Sequence, residues 1–142
     1  MTLCDVTIYI CSFREDSPNH VYYNNWLRNL LTSNTAFAYT EIVLSSFLRI
    51  ATHPRIFKEP SPLKSCLKFT DLIRSHPLGV SIMPGARHWI IFEQLCSESN
   101  AVGNKIPDLY LAALAIEGEV KFATSDNGFK NINGLDCVVL KP

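Results

Sequence analysis

Apolar and polar positions along the chain predict short buried strands separated by amphipathic helices. The run Leu3–Ile10 is almost entirely apolar, which is typical of a strand that is buried on both faces. Ser17-Pro18-Asn19 then predicts a turn and the start of a helix. From Tyr22 to Leu31, apolar pairs recur every three to four residues, which indicates a helix with one buried face.

The same alternation continues to the end of the chain. Further strands are predicted at Thr35–Tyr39, Val80–Met83, Val120–Thr124 and Cys137–Leu140. Further helices are predicted from a Thr40 cap to His53-Pro54, over Leu63–Arg74, through Trp89–Cys96, and from Pro107 to a closing Gly118. Strands that alternate with helices favour one α/β domain, residues 1–142, with a mainly parallel central sheet.

Composition excludes several classes of protein. The 142 residues are 47% hydrophobic and 18% charged, which suits one well-filled domain and argues against disorder. The net charge of zero argues against a protein that coats nucleic acid or membrane by bulk charge. No apolar run approaches the roughly 20 residues that span a bilayer, and the N-terminus lacks the basic region of a signal peptide. The five cysteines lack C-x-x-C spacing and have no nearby histidine partners, so reduced thiols in a cytoplasmic protein are expected, and zinc is disfavoured.

Four acidic residues occupy positions where the surrounding pattern is apolar. Asp5 interrupts the first predicted strand, Asp126 follows the strand that ends at Thr124, and Glu41 and Asp108 begin apolar helices. Each has a structural explanation by itself, because helix N-termini favour negative charge and Asp is common in turns. Together, such positions can converge at one edge of a parallel sheet. Clustered carboxylates of this kind suit Mg²⁺ or Mn²⁺.

The sequence resembles the PIN-domain ribonucleases and, within them, the VapC-type toxins of bacterial toxin–antitoxin pairs. The matching pieces follow one another in order over nearly the whole chain. They are Leu3-Cys4-Asp5-Val6-Thr7, Phe13–His20, Thr40–Ile50, Thr52–Phe57, Gly85–Trp89, Asn104–Asp108, Leu111–Ala115 and Thr124-Ser125-Asp126. The resemblance implies a three-layer α/β/α sandwich around a mainly parallel sheet. It also implies an Mg²⁺- or Mn²⁺-dependent endoribonuclease that hydrolyses RNA phosphodiester bonds.

The resemblance also implies which residues form the site. The family's four acids correspond to Asp5, Glu41, Asp108 and Asp126, as metal ligands and catalytic groups, with Glu41 as the suggested proton acceptor. Supporting polar residues are Thr124 before the last acid, Asn104, and Thr7, which stands where the family often has Asn. Gly128 replaces a frequent further acid, which leaves one or two metal ions as open alternatives.

The basic middle of the chain offers contacts for the RNA. Residues 49–90 contain seven Lys and Arg against two acids, whereas acids outnumber bases on either side. The suggested RNA-binding residues are Arg49, His53, Arg55, Arg87 and His88, although ordinary solvated charge also explains them. By resemblance, a VapB-type antitoxin and a second copy of the chain, forming a homodimer, are the expected protein partners, and no membrane is involved.

Two other functions are compatible with such a chain. One is a catalytically weak PIN-fold module that binds RNA or protein. Loss of acids from the site would favour this function, whereas all four acids are present. The other is an Mg²⁺-dependent phosphohydrolase acting on a small molecule. The D-x-D-x-T pattern of aspartyl-phosphate phosphatases is replaced by Asp5-Val6-Thr7-Ile8, and no glycine-rich phosphate loop is present.

Overall fold

A five-stranded parallel sheet forms the centre of the fold in a computed structural model that describes residues 1–142. The strands run in the order β3-β2-β1-β4-β5, and every neighbouring pair is parallel. Their bounds are β1 Thr2–Cys4, β2 Phe37–Tyr39, β3 Gly79–Ser81, β4 Lys121–Thr124 and β5 Cys137–Val139. The α/β fold with a parallel central sheet is therefore confirmed.

Six helices complete the fold, and two hydrophobic clusters fill it. The helices are α1 Val6–Phe13, α2 His20–Thr32, α3 Glu41–Ala51, α4 Leu63–Arg74, α5 His88–Ser99 and α6 Lys105–Glu117. Helix α1 packs against α2 and α3, and α3 against α4, whereas α5 packs against α6. The larger cluster joins the sheet to the first four helices and to one face of α6, and the smaller one lies between α5 and α6. None of the helices is long and apolar enough to cross a membrane.

The first predicted strand is wrong beyond Cys4. Strand β1 ends there, Asp5 adopts an extended conformation as the N-cap, and Val6–Phe13 form helix α1. An apolar run of this length is compatible with either a buried strand or a buried helix, and periodicity cannot separate the two. Asp5 therefore does not lie within a strand, but at the junction between a strand and a helix.

The start of α6 also differs from the prediction. The helix begins at Lys105, and Pro107 lies inside its first turn, where a missing N–H leaves no internal hydrogen bond unmade. Gly118 ends the helix as predicted, but with a φ of −75°, and it is Glu119 that adopts a positive φ of 53°. Of the remaining predicted elements, α4 has the predicted bounds, and the others are present with bounds shifted by one to a few residues. All five cysteines are free thiols, as expected.

A buried arginine joins the end of α1 to the loop between α3 and α4. The Arg14 side chain donates to both carboxylate oxygens of Asp16 at 2.9 and 2.6 Å, to the Ser61 hydroxyl at 2.9 Å and to the Glu59 carbonyl at 3.0 Å. Its guanidinium carbon lies 3.6 Å from the centre of the Phe57 ring. This set of contacts anchors a long connection that carries no regular structure of its own.

The strand order places a crevice beside β1. The chain passes from β1 outward through β2 to β3, and then crosses back to β4 on the opposite side of β1. In open parallel sheets, ligands bind at the carboxyl ends of strands where the direction of winding reverses. In this fold, those strand ends are Cys4 of β1 and Thr124 of β4.

Candidate active site

Asp5 is a buried carboxylate at the carboxyl end of β1. It is 5% exposed, and its backbone N–H donates to the Ala123 carbonyl of β4 at 2.8 Å. Burial raises the pKa of Asp5, three donated hydrogen bonds from Thr124, Thr7 and the Val6 N–H lower it, and the nearby Asp126 raises it again. The carboxylate is thus held in the interior by donors at the start of α1 and the end of β4.

Two hydroxyl groups connect Asp5 to the loop after β4. The Thr124 hydroxyl donates to Asp5 Oδ2 at 2.7 Å and accepts from the Asp126 N–H at 3.0 Å. The Thr7 hydroxyl donates to the same oxygen at 3.0 Å and accepts from the Ser125 N–H at 3.4 Å. Each hydroxyl therefore holds both the Asp5 carboxylate and the backbone of the loop after β4. Together they define the position of Asp126 relative to Asp5.

Asp126 is the exposed acid of the site. It follows β4 by two residues and caps the short 3-10 helix Asn127–Phe129, whose Gly128 N–H donates to Asp126 Oδ1 at 2.7 Å. A side chain added at Gly128 would approach Asp126 Oδ1 to 3.1 Å. The glycine that replaces a frequent acid of the family thus lets its backbone approach the Asp126 carboxylate closely.

Asp108 joins these two acids from the first turn of α6. Burial raises the pKa of Asp108, the Lys105 ammonium opposes that shift, and the charges of Asp5 and Asp126 raise it further. Asp5, Asp108 and Asp126 therefore lie close enough to repel one another. The Asp108 side chain is half-buried, and it lines the same cleft, of about 180 Å³, as Asp5.

Lys105 is a site residue that the sequence pattern did not reveal. It lies three positions before Asp108 on the same helix face, and its Nζ donates to the Gly128 carbonyl at 2.9 Å. The ammonium group thus bridges α6 and the Asp126 loop. The sequence contains the i, i+3 spacing of Lys105 and Asp108. The helix was predicted to begin at Pro107, however, so Lys105 was not placed on the helix face of Asp108.

Glu41 does not join the other three acids in this structure. It is the first residue of α3, it is exposed, and its Oε2 lies 3.7 Å from Nε of Arg74 at the end of α4. It lines a groove between α3 and α4 rather than the cleft of Asp5 and Asp108, although the adjacent Ile42 and Val43 do line that cleft. The prediction that all four acids converge is therefore wrong for Glu41. Three acids, Asp5, Asp108 and Asp126, lie together, and Glu41 precedes the first α3 residue that lines the cleft, Ile42.

One of the suggested RNA-binding cations reaches the cleft. Arg49, on α3, is exposed and lines it beside Asp5 and Asp108. His53 and Arg55 lie in the turn after α3, where His53 Nδ1 accepts from the Arg55 N–H at 3.0 Å. Arg87 is exposed at the start of α5. His88 is the exception, since it is 2% exposed and its Nε2 lies 2.9 Å from the Tyr110 carbonyl, so RNA cannot reach it.

The remaining predicted polar residue, Asn104, makes no capping hydrogen bond. It is exposed as the N-cap of α6, next to Lys105, and so lies near the site without supporting any acid directly. The other two residues predicted to support the acids, Thr7 and Thr124, do donate hydrogen bonds to Asp5.

The donor chemistry of the three acids fits a hard divalent cation. The oxygens that could bind a metal ion belong to carboxylates and hydroxyls, and the mutual repulsion of Asp5, Asp108 and Asp126 is of the kind that Mg²⁺ or Mn²⁺ relieves. No three His, Cys, Asp or Glu side chains are close enough to enclose an ion by themselves. Mg²⁺ keeps several of its waters and commonly binds through one or two carboxylates, so the arrangement is compatible with it.

Comparisons with known proteins agree on one family. The family model for the PIN domain matches residues 3–135. Ribonuclease VapC25 of Mycobacterium tuberculosis is 35% identical over 129 residues, which cover 91% of each chain. Ribonuclease VapC43 of the same organism is 32% identical over 135 residues, 95% of this chain and 92% of the relative.

Solved structures with the same fold include toxins of this group. A VapBC2 complex of Rickettsia felis, bound to a DNA fragment of its promoter, contains a chain that matches with a TM-score of 0.70 at 19% identity, covering 99% of this chain and 98% of that one. The sarcin-ricin loop cleaving toxin VapC20 of Mycobacterium tuberculosis matches with a TM-score of 0.66 at 10% identity, over the whole of both chains. The acids at the ends of β1 and β4, the fold and the relatives lead to the same conclusion: the chain belongs to the PIN-domain family, among the VapC ribonucleases.

Proposed function

We propose that the protein is an Mg²⁺- or Mn²⁺-dependent endoribonuclease and the toxin of a toxin–antitoxin pair. The observation that carries the proposal is that Asp108, in the first turn of α6, lies beside Asp5 and Asp126, which follow the carboxyl ends of β1 and β4. Three carboxylates that repel one another are costly for stability and suit a site that binds a divalent cation. The membership in the VapC ribonucleases supports RNA as the substrate.

The residues around the acids serve orientation and phosphate binding. Thr124 and Thr7 hold the Asp5 carboxylate by one oxygen, so its direction is fixed before any ligand arrives. Arg49 and Lys105 flank the acids and provide cations for the phosphates of an RNA strand, which three carboxylates alone would repel. Asp5, Asp108 and Asp126 would hold a divalent cation, which would supply charge neutralisation at the phosphate and lower the pKa of a water molecule for hydrolysis.

RNA cleavage by the purified chain tests this proposal. Activity is expected with Mg²⁺ or Mn²⁺ and should disappear with EDTA or in Asp5→Asn, which keeps the size of the side chain but removes its charge. The matched control is Asp136→Asn, an exposed acid before β5. Equal cleavage by the parent and Asp5→Asn, from a preparation free of other nucleases, would overturn the proposal. Cleavage that persists in EDTA would refute its metal-dependent part.

A VapB-type antitoxin is the proposed partner. Complexes of the VapBC type are among the solved structures that share this fold. We expect a small antitoxin to bind the chain tightly and to suppress its RNA cleavage, and we expect the chain to form homodimers. Co-expression with the product of a neighbouring short reading frame, followed by size-exclusion chromatography and a cleavage assay, tests both expectations.

A further inference from the structure

A recess near the acidic cleft has no role in the proposed binding of metal and phosphate. It has a volume of about 250 Å³ and lies between α5 and the segment that follows the 3-10 helix Asn127–Phe129. Its floor is apolar and consists of Leu95, Leu109 and Ile132. Leu95 and Leu109 are buried, so the floor belongs to the cluster between α5 and α6 and is rigidly placed.

The recess adjoins the site of the three acids through two of its lining residues, Lys105 and Gly128. Gly128 donates its N–H to Asp126 Oδ1 at 2.7 Å, and Lys105 lies three positions before Asp108 on α6. A molecule in the recess would therefore lie next to whatever is bound at Asp108 and Asp126, with the Lys105 ammonium between them.

The rim of the recess carries groups that recognise polar edges. Asn131 and Asn133 are exposed, flank Ile132, and have side-chain amides free of hydrogen bonds to the rest of the protein. On the α5 side, Glu98 contributes a carboxylate, of which only Oε1 is engaged, accepting from Gln94 at 3.0 Å. The rim thus presents the two Asn side-chain amides, each of which can donate and accept hydrogen bonds, and the Glu98 carboxylate, which can only accept them.

An apolar floor with amides and a carboxylate around it matches the chemistry of a nucleobase. A base has two apolar faces and a polar edge, and proteins read unstacked RNA bases by packing against a face and hydrogen-bonding the edge. Asn side chains pair with base edges through both donor and acceptor, and carboxylates accept from exocyclic amino groups. Charged ligands such as a free phosphate would find only one cation here, against Glu98 and the three nearby acids.

We propose that this recess binds one unpaired base of the RNA substrate, adjacent to the cleaved bond, and that Lys105 contacts the phosphate joining it to the acidic cleft. The inference rests on the proposed ribonuclease function and deepens it, because it identifies Asn131 and Asn133 as determinants of the cleavage sequence. The segment that carries them is fixed by turns, with the Ile132 N–H donating to the Phe129 carbonyl at 3.3 Å and the Leu135 N–H to the Ile132 carbonyl at 3.2 Å.

The test compares the parent with the double variant Asn131→Ala/Asn133→Ala. Each protein is incubated with a pool of single-stranded RNA of random sequence and Mn²⁺, and the ends created by cleavage are sequenced. The parent should prefer particular bases at one position next to the cut, and the double variant should lose roughly tenfold of that preference while it still cleaves. The matched control is Asn25→Ala/Asn29→Ala, two exposed asparagines on α2, which should keep the parent's preference.

A binding measurement separates failure of this inference from failure of the proposed function. Asp5→Asn is titrated with labelled single-stranded RNA of each base composition, with and without the Asn131 and Asn133 replacements. If the parent does not cleave RNA but base-selective binding is lost with the two asparagines, the ribonuclease proposal fails and the base site stands. If the parent cleaves and its base preference is absent, or is unchanged in the double variant, the base site is refuted and the ribonuclease stands.

A final arm identifies the source of the base. Nucleoside monophosphates are added as competitors of RNA binding. Weak competition that disappears in the double variant supports a recess that receives a base held by the RNA strand. Strong binding of a mononucleotide, with RNA binding unaffected by loss of both asparagines, would mean that the recess takes free nucleotides and would overturn the assignment to the substrate. Equal thermal unfolding of parent and double variant confirms that the exposed replacements leave the fold intact.

Discussion

Thr124→Val is expected to destabilise the protein and impair its site through a single missing oxygen. The Thr124 side chain is completely buried, and its hydroxyl donates to Asp5 Oδ2 at 2.7 Å while it accepts from the Asp126 N–H at 3.0 Å. Valine has nearly the same shape, so the replacement opens no cavity, but it removes both hydrogen bonds. The variant therefore isolates the contribution of the hydroxyl.

The size of the effect follows from the charge of Asp5. A hydrogen bond to a charged group contributes about 1.5–3 kcal/mol, and the Asp126 N–H also loses its partner. Because Thr7 still donates to the same carboxylate oxygen at 3.0 Å, Asp5 is not left bare. We expect the free energy of unfolding to fall by about 2 kcal/mol at neutral pH.

The loss should depend on pH in a defined direction. Burial raises the pKa of Asp5 above its value in the unfolded chain, so the charged carboxylate opposes folding at neutral pH, and stability is gained as the pH falls through the folded pKa. The Thr124 hydroxyl lowers that pKa, so its removal raises the pKa further. The difference between parent and Thr124→Val should thus be largest above the folded pKa of Asp5 and should shrink in acid.

Denaturant unfolding of both proteins over a series of pH values, from neutral into acid, measures this difference. RNA cleavage should fall by about 10–100-fold, as is usual when a group that orients a metal ligand is lost. Thr7→Val is the matched control, since its hydroxyl donates to the same oxygen from a half-buried position and should matter less. Unchanged stability and unchanged cleavage in Thr124→Val would refute the role of the hydroxyl.

Three further predictions concern other charged groups. Arg14→Lys cannot reproduce the forked contact of the guanidinium with Asp16, so the free energy of unfolding in denaturant should fall by about 2 kcal/mol; a fall of less than ~0.5 kcal/mol would contradict the anchoring role of Arg14. If Glu41 acts in catalysis, it must leave Arg74, so Glu41→Gln should reduce cleavage while Arg74→Ala should not; equal reductions would contradict this. Hydrogen bonds from Gly85 and Arg87 lower the pKa of Glu117, so Glu117→Gln should speed amide exchange at the start of α5 at neutral pH. That difference should vanish as the pH falls through the folded pKa of Glu117, and a difference that persists in acid would contradict the role of the Glu117 carboxylate in holding these two amides.

The alternation of strands and helices was predictable because the spacing of apolar residues depends on the type of element. That alternation was sufficient to predict the fold class. The helix after Asp5 was not predictable, since Val6–Phe13 are buried on most sides by the sheet and neighbouring helices and carry no polar face to show a helical period. The acids could be identified as candidates, but their convergence depends on strand order and side-chain direction. Those two features placed Glu41 beside Arg74 and brought Lys105 to the site.

The sheet order explains why an acidic site and a neutral chain coexist. Asp5 and Asp126 come from β1 and β4, the adjacent strands between which the chain reverses its winding, so the acids meet where the crevice opens. Two cations lie near these acids: Arg49 on α3 lines the cleft of Asp5 and Asp108, and Lys105 on α6 donates to the Gly128 carbonyl in the Asp126 loop. Because the chain as a whole has no net charge, these two cations attract a phosphate backbone only at the cleft. Affinity for RNA should therefore depend on few phosphate contacts, and specificity on neighbouring features such as the Asn131 and Asn133 recess.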